Sequence, residues 1–201
     1  MSMLGFPPIT TGNIATTIDT YVSTSPNYGG TCPLGTQWTL PINSASILAY
    51  GRGAPQTIAY VRMNSSGAAA MLANPGLVYW VDKNFQSVTG TASESAFGIN
   101  GVAGYTMLCT GTYPGALTGA ALTTLVNGNL IWIVTGGYVP GATSITSVAA
   151  GDFLIGGGTS FTPARMTANS APTNRVIGMA TTAISGGVSD VLIGQFGPFT
   201  F

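Results

Sequence analysis

Past residue 45 the chain alternates short apolar runs with turn residues. Seven runs have the length and the β-branched or aromatic content of strands: 57–63, 77–82, 102–109, 130–135, 152–155, 175–181 and 189–193. Leu77-Val78-Tyr79-Trp80-Val81 and Leu130-Ile131-Trp132-Ile133-Val134 are unbroken apolar stretches bounded by Gly or Asn. Both are too short for a helix of ordinary length, so they read as buried strands. Asn127-Gly128-Asn129, just ahead of Leu130, predicts a hairpin turn. One helix is predicted, over 65–73, stopped by Asn74-Pro75-Gly76. Regular turn spacing with almost no helix predicts an all-β fold, a Gly-rich β-barrel or sandwich of short strands.

Residues 1–45 are different. Turn signals crowd there (Pro7-Pro8, Thr11-Gly12-Asn13, Ser25-Pro26-Asn27, Tyr28-Gly29-Gly30), and the apolar residues Leu4, Phe6, Ile9, Ile14, Ile18 and Tyr21 are widely spaced. This stretch reads as an extended N-terminal arm that docks on its own core or on a neighbour. A faint repeat follows it. Asn100-Gly101-Val102-Ala103-Gly104-Tyr105 resembles Asn174-Arg175-Val176-Ile177-Gly178-Met179, and a Gly with an apolar run precedes each, at Gly76-Leu77 and at Gly151-Asp152-Phe153. The implied organisation is an arm over 1–45, a first β unit over 46–135 and a related second unit over 136–201.

Charge narrows the function. The 201 residues include five Lys or Arg, five Asp or Glu and no His, so 5% of the chain is charged, and 45% is hydrophobic. A neutral chain with five cations cannot cover a phosphate backbone, which argues against nucleic acid as a partner. Without His, and with scattered carboxylates, it has little material for acid–base catalysis or metal binding, so neither an enzyme nor a cofactor is expected. A mean hydropathy of +0.40 and zero net charge oppose disorder and favour association. No apolar stretch reaches membrane-spanning length and no positively charged leader is read at the start, so no membrane partner is expected. Cys32 and Cys109 fit no metal spacing and read as plain thiols.

Single motifs have bland readings. Gly136-Gly137-Tyr138-Val139-Pro140-Gly141-Ala142-Thr143 has the outline of a phosphate loop but carries Ala142 where the lysine belongs, so it reads as a tight turn between strands. Gly156-Gly157-Gly158 reads as a flexible loop. Ser185 has no His to activate it, and Asp82-Lys83-Asn84 reads as a surface strand end. Asp19, Asp82, Glu94, Asp152 and Asp190 read as solvated or capping acids. Trp80 and Trp132 lie within apolar runs and are expected in the core. Trp38, in the more open Gly35-Thr36-Gln37-Trp38-Thr39, is the candidate exposed aromatic.

The last fifty residues carry the most informative pattern. Gly151-Asp152-Phe153-Leu154 opens a strand, Arg175-Val176-Ile177-Gly178-Met179-Ala180 follows, and Ser185-Gly186-Gly187 turns into Val188 to Ile193. This resembles the small β-domain of tailed-bacteriophage capsid cement, or decoration, proteins. There a Gly-Asp-x-Leu opening, an Ile-Gly-x-Ala strand and a last Val-x-Val strand recur around a Gly-rich turn. The resemblance implies a structural virion protein, made in the host cytoplasm, that sits on the capsid exterior as a homotrimer. It would bind the major capsid protein and brace neighbouring capsomers. Leu4, Phe6, Pro7, Pro8, Ile9 and Ile14 of the arm are then the candidate capsid contacts, since an extended segment can add a strand to a subunit edge. The alternative is a receptor- or glycan-binding knob or fibre domain of a virion, with Trp38 as its contact. An outer-membrane barrel is a third reading, opposed by poor alternation along the strands.

Overall fold

The computed structural model describes residues 19–20, 34–40, 56–64, 70–72, 74–106, 123–125, 127–144, 147–157, 160–166 and 175–194. Thirteen strands cover most of them: β1 (Asp19–Thr20), β2 (Gln37–Leu40), β3 (Gln56–Met63), β4 (Ala70–Leu72), β5 (Leu77–Trp80), β6 (Ser87–Thr89), β7 (Val102–Thr106), β8 (Thr123–Leu125), β9 (Asn129–Thr143), β10 (Phe153–Ile155), β11 (Ala164–Arg165), β12 (Val176–Ala180) and β13 (Val188–Ile193). Two 3-10 turns, Ala92–Glu94 and Gly98–Asn100, join β6 to β7. The fold is all-β, as the spacing of runs and turns predicts. Among the described residues no helix is long and apolar enough to cross a membrane.

Eleven of these strands form one large sheet that closes on itself at one end, and β4 and β8 form a separate two-stranded sheet. β9 pairs with β7, β7 with β5, β5 with β6, β6 with β3, and β3 returns to β9. These five strands make a closed barrel in which β3 and β6 are the one parallel pair. Such a barrel is narrow, and its filling shows it: Ala59, Val61, Met63, Val78, Val88, Ala103, Ile131 and Ile133 come from all five strands and form one buried cluster. The alternate positions point outward and hold the bulk: Tyr60, Tyr79, Tyr105 and Trp132. They are buried as well. Both faces of β5 and of the first half of β9 are therefore covered, which is why those runs are unbroken in the sequence instead of alternating.

What covers the outer face is the rest of the sheet. β9 continues past the barrel, and its second half pairs with β13, followed by β12, β10 and β11. This outer set repeats the plan of β6-β5-β7-β9. In the first set Val78 faces Gly104, the register slips by one residue, and Tyr79 faces Val102. In the second Leu154 faces Gly178, the register slips at the same place, and Ile155 faces Val176. The shared glycine has a steric cause. A Cβ at Gly178 would lie 2.6 Å from the Leu192 carbonyl oxygen, and one at Gly104 would collide with the Val134 carbonyl oxygen. The repeat seen in the sequence thus marks a repeated bulge. In the second set Leu154, Ile177 and Val191 stand where Val78, Ala103 and Ile133 fill the barrel, yet they belong to the same cluster as the outward aromatics of the first set. The open half wraps the closed one.

Several expectations are corrected. Residues 136–143 are not a turn but the second half of β9. Pro140 and Gly141 are absorbed where the register shifts opposite Asp190, whose carboxylate accepts the Gly141 N–H at 2.9 Å. The strand carries the chain continuously across residues 135 and 136. Of the expected helix at 65–73, residues 70–72 form β4 instead, paired with β8, because a segment this short gains more from a ladder partner than from an isolated helical turn. The rest of that segment lies outside the described residues. Asn127 and Gly128 do form a turn, with the Gly128 N–H donating to the Met63 carbonyl at 2.8 Å, but β8 pairs with β4 and not with β9, so no hairpin results. Gly156 and Gly157 are buried rather than a free loop: added side chains there would meet the Ile99 and Thr162 carbonyls. The Gly186-Gly187 turn is as expected, both residues having positive φ (61° and 83°) and Ser185 bridging to Val188.

Candidate functional site: an exposed aromatic patch

Where β5 leaves the barrel, its last residue, Trp80, is half-buried, and the chain turns through 81–86 into β6. Asp82 organises that turn. Its Oδ1 accepts the backbone N–H of Asn84 at 2.8 Å and of Gln86 at 3.3 Å, and its own carbonyl accepts the N–H of Phe85. Phe85 is held at φ +58°, in the left-handed region that non-glycine residues avoid, with 48% of its surface exposed. A bulky residue in that conformation carries a strain of about 1–2 kcal/mol. The Asp82 hydrogen bonds and the β5–β6 pairing hold it there.

A second loop meets the first. The Ser95 hydroxyl donates to the Trp80 carbonyl at 2.8 Å, the Ala96 N–H donates to the same carbonyl, and the Phe97 N–H donates to Ser95 Oγ at 3.1 Å. Phe97 is thereby fixed beside Phe85, 41% exposed. The two rings lie 6.1 Å apart and nearly parallel (7°), while Trp80 meets Phe85 edge-on at 5.3 Å. Such offset and edge-to-face contacts are the favourable aromatic geometries. Phe85 and Phe97 are the large hydrophobic side chains exposed among the described residues. Hydrogen bonds in the two loops hold the backbone at Phe85 and Phe97 so that their rings meet.

Glu94, Asp152, Asp190, Arg62 and Arg165 are engaged within the fold. Glu94 accepts the Thr89 hydroxyl, and Asp190 accepts the Tyr138 hydroxyl together with Gly141 N–H. Asp152 accepts the Ala149 N–H at 2.7 Å and pairs with Arg165 at 2.9 Å. Arg62 reaches Ser87 Oγ at 3.4 Å. Asp82, Glu94, Asp152 and Asp190 thus hold a turn, a bulge or a neighbouring hydroxyl, and no group of three His, Cys, Asp or Glu that could hold a metal ion occurs among the described residues. Two phenols are perturbed. Burial raises Tyr79 above the ordinary tyrosine range, opposed by its hydrogen bond to Gly157. Burial raises Tyr105 further, with the nearby Tyr79 adding to the rise.

The residues singled out from sequence are placed as follows. Leu4, Phe6, Pro7, Pro8, Ile9 and Ile14 lie outside the described residues, as do Cys32 and Cys109. Trp38 lies in β2, its backbone opposite Ile58, but its side chain is outside what is described. Trp132 is in the core as expected. Trp80 only half follows the expectation, since the strand ends with it and it backs the patch. Phe85 and Phe97 were not among the sequence candidates. Their signal was an isolated large aromatic with turn residues on both sides, in Lys83-Asn84-Phe85-Gln86 and Ser95-Ala96-Phe97-Gly98. Comparison with protein families, curated proteins and solved structures finds no match to this chain.

Proposed function

We propose that the chain is a structural virion protein that binds the outer surface of a phage capsid and stabilises it by bridging capsomers. The observation that carries this reading is the exposed Trp80–Phe85–Phe97 patch on a molecule whose Asp82, Asp152 and Asp190 carboxylates accept hydrogen bonds from its own backbone. A surface of that kind works by contact. The stretch that resembles cement proteins, residues 151–193, contributes β10, β12 and β13, which are adjacent in the sheet in that order. In this reading the partner is the major capsid protein, the arm residues Leu4 to Ile14 meet it, and a homotrimer multiplies individually weak sites by avidity. Co-sedimentation of the purified chain with undecorated heads tests the proposal. Saturable binding at a copy number tied to capsomers is expected, weakened when residues 1–18 are removed. A chain that stays in the supernatant with intact heads overturns it.

A second reading, a receptor- or glycan-binding knob, draws on one specific feature. The near-parallel Phe85 and Phe97 rings, with the exposed Asn84 on the same turn, offer a flat face and a neutral hydrogen-bonding group. Glycan-array binding abolished by Phe97→Ser would favour it, and an empty array would dispose of it.

A further inference from the structure

Two Asn-Gly steps lie among the described residues, and the fold treats them differently. An asparagine side chain closes readily on the backbone at such a step, because glycine has no Cβ to obstruct the approach to its nitrogen. At Asn100-Gly101 that closure is hindered. Asn100 ends a 3-10 turn, and its Oδ1 accepts the Arg175 N–H at 3.0 Å, which fixes the side chain. Gly101 is buried in a close-packed spot, where a Cβ would collide with Ser95 Oγ and stand 2.8 Å from Phe97 Cβ. A ring joining the two residues would need that loop to move. Asn127-Gly128 is the reverse. Asn127 is exposed, in the turn before β9, and nothing lies within 4 Å of where a Cβ on Gly128 would stand. Engagement of the glycine nitrogens does not separate the two steps, since Gly101 N–H donates to the Gly98 carbonyl at 3.0 Å and Gly128 N–H to the Met63 carbonyl at 2.8 Å.

We propose that Asn127 is a site of self-modification, at which the chain converts its own side-chain amide to a carboxylate. The Gly128 nitrogen gives its proton to solvent hydroxide and bonds to Asn127 Cγ. The Cγ–Nδ2 bond breaks, and Nδ2 takes a proton from water and leaves as ammonia, giving a cyclic imide. Water then opens the imide. Attack at Cγ yields aspartate, and attack at the backbone carbonyl yields isoaspartate, with the main chain routed through Cβ and Cγ. The place makes the change consequential. Gly128 N–H closes the end of β3, and the next two residues, Asn129 and Leu130, pair with Thr20 and Asp19 of β1. The new carboxylate adds a negative charge to a chain of zero net charge, close to the strand that carries Asp19. Isoaspartate also adds a main-chain atom just ahead of Gly128, which takes its N–H out of line with Met63. The conversion is a one-way timer set where residues 19–20 join the barrel, and it runs without a partner.

The test holds the full chain in mildly alkaline buffer and follows its peptides by mass spectrometry after digestion. The mass gain of amide to acid is expected in the peptide with Asn127 about tenfold or more faster than in the peptide with Asn100, the ratio that a barrier difference of about 1.4 kcal/mol gives. In guanidinium chloride the two rates are expected to converge, because the fold makes the difference between them. In Asn127→Gln, with an unchanged circular dichroism spectrum, that peptide is expected to keep its mass, since the longer side chain must close a larger ring. Hydrogen exchange at residues 129–130 is expected to be faster in the converted chain than in the fresh one. An Asn127 that stays intact, an Asn100 that converts as fast, or a gap that persists in denaturant overturns the inference. Unchanged exchange at 129–130 after conversion overturns the effect on β1.

Discussion

Removing the hydroxyl of Tyr79 and removing that of Tyr105 are the same chemical change, yet they should move stability in opposite directions. Both side chains are fully buried, on the same face of adjacent strands. The Tyr79 hydroxyl donates to the Gly157 carbonyl at 2.9 Å and accepts the Gly157 N–H at 2.8 Å, tying β5 to the loop that carries Phe161. Tyr79→Phe leaves a buried N–H and a buried carbonyl with no partner at that position. At about 1–3 kcal/mol for each stranded group, the expected loss is roughly 2–6 kcal/mol. For a domain of this size that corresponds to a fall of about 4–24 °C in Tm. The Tyr105 hydroxyl has no hydrogen-bond partner among the described residues. Tyr105→Phe therefore removes a buried polar group and strands nothing, and a gain of about 1 kcal/mol is expected. Urea unfolding followed by tryptophan fluorescence measures both, with the m-value as the check that the unfolded states are comparable. Tyr79→Phe within about 0.5 kcal/mol of wild type, or Tyr105→Phe falling as far as Tyr79→Phe, would refute the reasoning.

Gly90→Ala should destabilise by about 1–3 kcal/mol, since its Cβ would overlap the Phe161 ring, and should be nearly neutral in a Phe161→Ala background. A double-mutant cycle in urea reads this, and additive effects would show that the ring does not seat there. Stability should also be lost at alkaline pH. Tyr79 and Tyr105 are raised in the folded state, so their contribution is complete below the unfolded value of about 10 and declines as pH rises past it. The urea midpoint should drop as pH rises above about 10, less steeply in Tyr105→Phe, and a flat profile in both proteins would contradict the assignment.

Much of the fold was legible because its signals are local. All seven predicted strands occur, five of them within a residue or two of their expected bounds, since a β-branched run between turn residues has one good solution whatever surrounds it. Gly186-Gly187 sets its own φ angles. The kinship of the two halves was visible because a glycine is required wherever β7 meets β9, or β12 meets β13, at close range. What misled was composition taken without partners. Gly136 to Thr143 has the residues of a turn, but Asp190 supplies from another strand the hydrogen bonds that let it run on as strand. Gly156 and Gly157 are permissive as monomers, and it is the close approach of Ile99 and Thr162 that makes them rigid.

The candidate site shows the same division. Sequence alone determined that this chain folds as short β-strands and carries almost no ionisable groups, because composition and period need no knowledge of neighbours. Which aromatics stand at the surface was decided only in three dimensions. Trp80 ends an apolar run indistinguishable from the one that buries Trp132, and Phe85 and Phe161 share a backbone conformation. One ring is covered and the other exposed because closing the barrel puts Gly90 opposite Phe161 while the described chain brings only Phe97 and Trp80 to Phe85. Burial is a property of what lies across the gap, and no residue encodes that by itself.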